Sequence, residues 1–265
     1  MSHLFISPHL DDAILSAGAT MAALVRRGEL VFIVTTMAGE PPLSLPTTPM
    51  IEMVRQRWAA GRDQIRARRI EDARAAAQLG AKVYQLPLYE AVFRTAKDGE
   101  GKRIVLYAGD NSVYEAIHPS DDASASLLEL KCPRADVTHV YAPLCLDTHV
   151  DHRIATNWAL AITRGGTSTP LWLYEEYPAA ALRKEAQMRQ AQQPYRSNKP
   201  PYTLDAITQP SDPQDLEAKC AALCFYQSHV KVLWSDMDAM RSAVRSFMWL
   251  AGGGSPAERF WHLHL

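Results

Sequence analysis

The stretch Leu4-Phe5-Ile6-Ser7-Pro8-His9-Leu10-Asp11-Asp12-Ala13, read together with Leu30-Val31-Phe32-Ile33-Val34, decides the fold. Leu4-Phe5-Ile6 is short and wholly apolar, and residues 4–7 read as a strand. Residues 12–27 place Ile14, Ala17, Met21, Leu24 and Val25 on one face of a helix. Gly28 ends that helix. The run at 30–34 is continuously apolar and rich in β-branched residues, which suits a strand buried on both faces. Strand, helix and strand within 34 residues form a βαβ unit, and such units build parallel sheets. The first turn carries His9, Asp11 and Asp12 where a dinucleotide-binding protein would carry glycines. Two carboxylates at a helix start repel a pyrophosphate and favour a divalent cation.

Outward from this unit, residues 40–49 read as a surface loop and 50–79 as a helix, basic in its middle and stopped by Gly80. Residues 83–86 read as a third strand. The pattern weakens over 87–135, which reads as an insertion over one edge of the sheet, with a polar turn at 97–102 and a short helix at 120–130. A buried strand is expected at 138–142, a helix at 151–163, a strand at 171–174 and a helix around 179–192. A proline-marked loop follows at 194–201. Residues 213–227 and 235–250 read as helices, and Gly252-Gly253-Gly254 as a flexible joint before a short final stretch at 258–265. The whole predicts a single α/β domain over 1–265, Rossmann-like, with a mostly parallel sheet flanked by helices.

Twenty-eight basic residues balance 29 acidic ones, for a formal net charge of −1. That balance argues against nucleic acid or an anionic membrane as the main partner. No apolar run approaches the ~18 residues of a membrane span, and no targeting peptide is evident, so a cytoplasmic location is expected. Self-association as a homo-oligomer is left open. Cys132, Cys145, Cys220 and Cys224 match no metal or redox spacing and read as buried free thiols.

Open α/β sheets bind ligands outside the carboxyl ends of their strands. His9, Asp11 and Asp12 stand there after the first strand, and His149, Asp151 and His152 after the strand at 138–142. A catalytic zinc takes three protein ligands from His and carboxylates and keeps one position open. A carboxylate outside the ligand set can then act as general base. A single Asp at either place could equally cap its helix, and His149 alone could be a surface histidine. The residues by themselves leave both readings open.

Ser7-Pro8-His9-Leu10-Asp11-Asp12-Ala13 resembles the Pro-His-x-Asp-Asp motif of the LmbE-like family, the PIG-L deacetylases, and His149-Val150-Asp151-His152 resembles its second motif. Arg68-Arg69-Ile70-Glu71-Asp72 with Leu79-Gly80, the segment 173–178, and the segment 219–228 are similar to further family segments. The resemblance implies a zinc-dependent de-N-acetylase acting on N-acetylglucosamine-containing substrates. It implies His9, Asp12 and His152 as metal ligands and Asp11 as the base that activates the zinc-bound water. His149 would stabilise the oxyanion or protonate the amine, and Asp151 would orient a histidine. Leu10 replaces the usual proline and Ala13 an often acidic residue; neither is a ligand, and both blur the subfamily.

Arg68, Arg69 and Asp147 are candidate substrate contacts, although a run of charge usually means a solvated face. Trp172, Trp234 and Tyr177 read as core aromatics, with sugar stacking as the other reading. The reaction expected is removal of an N-acyl group, most simply acetyl, from an amino sugar or sugar conjugate. Iron suits the same ligand set as zinc. The rival readings are hydrolysis of another amide or glycosylamine C–N bond on the same scaffold, and a non-catalytic nucleotide-binding domain. Loops 40–50, 87–135 and 194–212 would set the substrate.

Overall fold

The computed structural model of the chain describes residues 1–42, 44–57, 64–109, 111–130, 136–164, 169–182, 190–192 and 202–264. Cys132, the proline-marked loop at 194–201 and parts of the helices expected at 50–79 and 179–192 lie outside these residues. Seven strands form one sheet: β1 (Ser2–Ser7), β2 (Leu30–Thr35), β3 (Lys82–Gln85), β6 (His139–Pro143), β7 (Leu171–Tyr174), β8 (Thr203–Pro210) and β9 (Ala257–His264). Their order across the sheet is β3-β2-β1-β6-β7-β9-β8. The first five are parallel, while β9 runs antiparallel to both β7 and β8. The remaining pair, β4 (Thr95–Lys97) and β5 (Arg103–Val105), is a separate hairpin closed by the polar turn anticipated at 97–102.

Alternation along the strands divides the core. Phe5, Val31 and Ile33 point to one face, where α1 (Asp12–Arg26), α3 (Gln64–Gln78) and α6 (Pro213–Leu223) pack. Leu4, Ile6, Val34 and Val140 point to the other, against α5 (Val150–Arg164) and α4 (Ala123–Glu129). Burial on both sides explains the unbroken apolar runs read from the sequence. Each fully buried Leu, Ile or Phe contributes about 1.5–3 kcal/mol of transfer free energy. Between β3 and β6, the stretch with the hairpin and α4 packs against α5 and α2 (Pro49–Arg57).

Two expectations are corrected. Residues 203–210 and 257–264 form strands; neither had been read as one. β8 is largely exposed and β9 mixes Glu, Arg and His with its apolar residues, so neither shows the buried-strand signature. The helix expected at 213–227 stops at Leu223, and α7 (Gln227–Leu233) begins afresh before α8 (Met237–Ala251). Cys145 and Cys220 are buried free thiols, and Cys224 is a half-buried one. Among the described residues, no helix is long and apolar enough to cross a membrane.

Candidate metal centre and active site

Strands β1 and β6 are neighbours, so the loops at their carboxyl ends meet. One supplies His9, Asp11 and Asp12. The other supplies Asp147 and His149, and the first turn of α5 adds Asp151 and His152. The capping reading of these aspartates fails on geometry. Ser7 Oγ accepts the Ala13 backbone N–H at 3.0 Å and donates to the His9 carbonyl at 2.7 Å. Asp11, at the N-cap position of α1, makes no capping bond with its side chain. Its backbone sits at φ 140°, and Thr148 in the opposite loop at φ 62°. Positive φ at a non-glycine residue costs about 1–3 kcal/mol and persists where the surroundings enforce it. Thr148 Oγ1 is pinned to the Tyr114 carbonyl at 3.1 Å.

His9 Nδ1 lies 3.1 Å from Asp12 Oδ2, and His152 Nε2 lies 3.5 Å from the same oxygen. Donor atoms bound about 2.0–2.1 Å from a tetrahedral zinc stand about 3.3 Å apart, so this spacing fits a metal. The far nitrogen of each ring is held by a carboxylate: His9 Nε2 by Asp151 Oδ2 at 3.0 Å, His152 Nδ1 by Glu176 Oε1 at 3.2 Å. Metal-binding histidines carry such partners, which fix the ring and its tautomer. Burial disfavours charge on both rings, yet the carboxylates outweigh it: Asp12 and Asp151 raise His9 well above its ordinary value, and Asp147, Asp12 and Glu176 raise His152 to about 9. A field that holds protons on two imidazoles is equally suited to a divalent cation. Two further sets of possible ligand atoms lie within 4.8 Å of one another: His9 with His149 and His152, and Asp147 with His152 and Glu176.

Asp151 is fully buried. It accepts from Arg94 Nη1 at 2.5 Å and from the Ala91 backbone N–H at 2.9 Å. Burial raises its pKa, but Arg94 and His9 win and hold it well below the usual carboxylate range. Its backbone N–H donates to His149 Nδ1 at 3.1 Å, which leaves the His149 proton on Nε2. Burial, reinforced by His9 and His152 and opposed by Asp151, lowers His149 to about 4, so the ring is neutral near pH 7.

Asp11 faces a different group. His229 Nε2, at the start of α7, lies 2.8 Å from Asp11 Oδ2 and 3.3 Å from Arg68 Nη2. The shorter contact assigns the His229 proton to Nε2, donating to the carboxylate. Arg68 is buried and paired with Glu90 at 2.7 Å. Behind them, Asp72 accepts from Tyr226, Gln85 and Thr35. Burial raises Asp72 to about 6 despite these bonds, with Asp11 adding to the rise.

A cavity of about 310 Å³ opens over this cluster, bordered by His9, Asp11, Asp12, Arg68, His149 and Asp151. His152 stands behind it. Arg69 and Asp147 do not line it. Arg69 is tied to the Gln85 side chain and the Ala38 carbonyl, and Asp147 accepts the His149 backbone N–H. Tyr177 lines the cavity and also stacks on Trp234, while Trp172 stacks on His262 away from it. The sequence reading missed Glu176, His229, Arg94 and Tyr114. Glu176 lay inside a quoted family-like segment and His229 one residue beyond another. Arg94 and Tyr114 lie where the pattern weakens, and nothing flagged them. Tyr114 meets the His149 ring edge-on at 5.5 Å between centroids.

Comparison with known proteins places the chain in a family. Residues 4–163 match the family model PIG-L, described as GlcNAc-PI de-N-acetylase. The chain belongs to the PIG-L family of de-N-acetylases, which are hydrolases. It is 28% identical over 192 residues to 2'-N-acetylparomamine deacetylase of Niallia circulans, a match spanning 66% of each protein. Its fold is that of teicoplanin deacetylase in a zinc-inhibited form, with TM-score 0.76, 22% identity and coverage of 100% of this chain and 98% of that one. The A40926 pseudoaglycone deacetylase superposes with TM-score 0.71 and 25% identity, covering 99% and 96%.

Proposed function

We propose that the protein is a zinc-dependent hydrolase that removes an N-acyl group, most simply acetyl, from an amino sugar or a sugar conjugate. The observation that carries this reading is the convergence of His9 Nδ1, Asp12 Oδ2 and His152 Nε2, with Asp11 beside them and outside the set. These three residues would hold the metal, which when bound acidifies a water and polarises the substrate carbonyl. The names of the related deacetylases, of paromamine and glycopeptide substrates, support an aminoglycoside-like or glycopeptide-like class.

Asp11 takes the proton of the attacking water, whose oxygen bonds to the amide carbon. His229 donates to Asp11 Oδ2 and so leaves Oδ1 for that proton. The neutral His149 presents Nε2–H to the oxygen on which negative charge develops. The proton held by Asp11 passes to the departing nitrogen, the C–N bond breaks, and an amine and a carboxylic acid leave. Arg68, paired with Glu90, lines the cavity beside Asp11.

The test is the metal-loaded Asp11→Ala protein, assayed on N-acetylated aminoglycosides and N-acylated glycopeptides. Loss of a general base costs roughly 10²–10⁴ in turnover, with zinc content unchanged by elemental analysis. Unchanged turnover would exclude Asp11 as base. Activity confined to simple amides or glycosylamines would replace the amino-sugar assignment.

A further inference from the structure

The stretch between β3 and β6 reaches the proposed metal centre through a buried cation. Arg94, the residue before β4, is 5% exposed and wedged between Asp151 and Asp121, whose side chains are wholly buried. Its Nη1 donates to Asp151 Oδ1 at 2.5 Å and to the Tyr89 carbonyl at 3.0 Å. Its Nε donates to Asp121 Oδ2 at 3.0 Å, with Nη2 2.9 Å from the same oxygen. Asp121 is fixed in turn. The Tyr107 hydroxyl, just past β5, donates to Asp121 Oδ2 at 2.7 Å, and the Ala123 backbone N–H at the start of α4 donates to Oδ1 at 3.1 Å. Arg94 Cζ also lies over the Tyr107 ring, 5.3 Å from its centroid.

The two oxygens of Asp151 have separate tasks. Oδ1 accepts from Arg94, while Oδ2 takes the Ala91 backbone N–H at 2.9 Å and His9 Nε2 at 3.0 Å. The terminal torsion of an aspartate is broad and roughly two-fold. With Arg94 on one oxygen and Ala91 on the other, the carboxylate cannot turn, and His9 is left with its opposite nitrogen, Nδ1, toward Asp12 Oδ2. We propose, resting on the metal assignment of His9, Asp12 and His152, that Arg94 backed by Asp121 and Tyr107 is a positioning residue for the metal. It fixes Asp151, which fixes the His9 ring, and so sets how tightly and in what geometry a metal is held. The planar guanidinium fork spans two carboxylates at set angles, which the point charge of a lysine does not reproduce.

Zinc affinity, measured by competition with a chromophoric chelator, tests this without any assay of turnover. The visible spectrum of the cobalt(II)-loaded protein reports the metal geometry beside it. Arg94→Met should weaken zinc by about tenfold, the low end for losing an outer partner of a metal-binding histidine, and should change the cobalt spectrum. Arg94→Lys should recover part of both. Removing Arg94 leaves two buried carboxylates unpaired, so Asp121→Asn is the second variant. It keeps shape and an acceptor while loosening the grip on Arg94, and should shift zinc affinity and spectrum in the same direction by less. The proposal is overturned if the folded variants unfold at lower urea yet keep the zinc affinity and cobalt spectrum of wild type, since Arg94 would then only anchor the hairpin. A wild-type protein that takes up no zinc, or an Asp12→Asn protein that binds it as wild type does, would overturn the metal assignment and this proposal with it.

Discussion

Asp11 holds a backbone conformation that a side-chain-bearing residue rarely adopts, at the N-cap of a helix it does not cap. Its carboxylate is spent instead on His229, a residue 218 positions away whose role nothing local in the sequence signals. If His229 only steadies Asp11, His229→Ala should lower kcat by about 10–100-fold, the usual loss for a supporting partner. KM should stay near wild type and the acid limb of the pH–rate profile should move. His229→Gln, which keeps an N–H donor, should recover part of the loss; equal losses in both variants would mean mere packing. Asp72 gives a second residue-scale prediction. Its folded pKa of about 6 lies above its ordinary 3.8, so the native state holds a proton that the unfolded chain has lost between those values. Stability therefore falls as pH rises through that window and is flat above it, with an amplitude on the order of 3 kcal/mol. Urea midpoints from pH 4 to 7 should show this slope in wild type and lose it in Asp72→Asn. His9, Asp11, Asp12, His149, Asp151 and His152 were legible because imidazole and carboxylate cluster at two strand ends. Glu176, Arg94 and His229 were not, because a support residue is defined by what it reaches in space.

Helix α1 is interrupted at Ala17, whose φ of −129° leaves the helical range. Glu258 on β9 repairs the break: its carboxylate accepts the backbone N–H groups of Ala19 at 3.0 Å and Thr20 at 2.8 Å, and Lys219 Nζ at 2.7 Å. Both side chains are wholly buried. Glu258→Ala should cost about 3–5 kcal/mol, because Lys219 is left as an unpaired buried charge. The double variant Lys219→Met with Glu258→Gln keeps an acceptor for the amides and removes both charges, and should regain most of that loss in chemical denaturation. A double variant no more stable than Glu258→Ala would assign the cost to the amides alone. The same interaction shows why β9 escaped the sequence reading. Glu258, Arg259, His262 and His264 interrupt its apolar pattern, although Glu258 is buried, because its partners come from α1 and α6. The parallel strands were legible for the opposite reason: burial on both faces leaves an unbroken apolar run.

Across the whole molecule, the proposed metal would join loops at the carboxyl ends of β1 and β6, so its binding free energy adds to that of folding. Free zinc at about a thousandfold over its dissociation constant stabilises by roughly 4 kcal/mol, or on the order of 10 °C in Tm for a chain of this size. Chelation should lower Tm by that amount and stop turnover, and zinc should restore both. Asp12→Asn should melt at the same temperature with or without chelator; a chelator response in that variant would remove Asp12 from the ligand set. The βαβ start made the sheet and the place of the site readable, while the antiparallel β7-β9-β8 edge was hidden in polar strands. That edge has a consequence for time as well as for shape. The two amides past the break in α1 wait for a carboxylate 239 and 238 residues later in the chain. Contacts of such high order form late, and a chain emerging from the ribosome makes its first helix long before its partner exists. The helix that opens at Asp12 thus reaches its final form only when β9 has joined the sheet. Enzyme activity should appear during synthesis as a late event, well after Asp11 and Asp12 have been made.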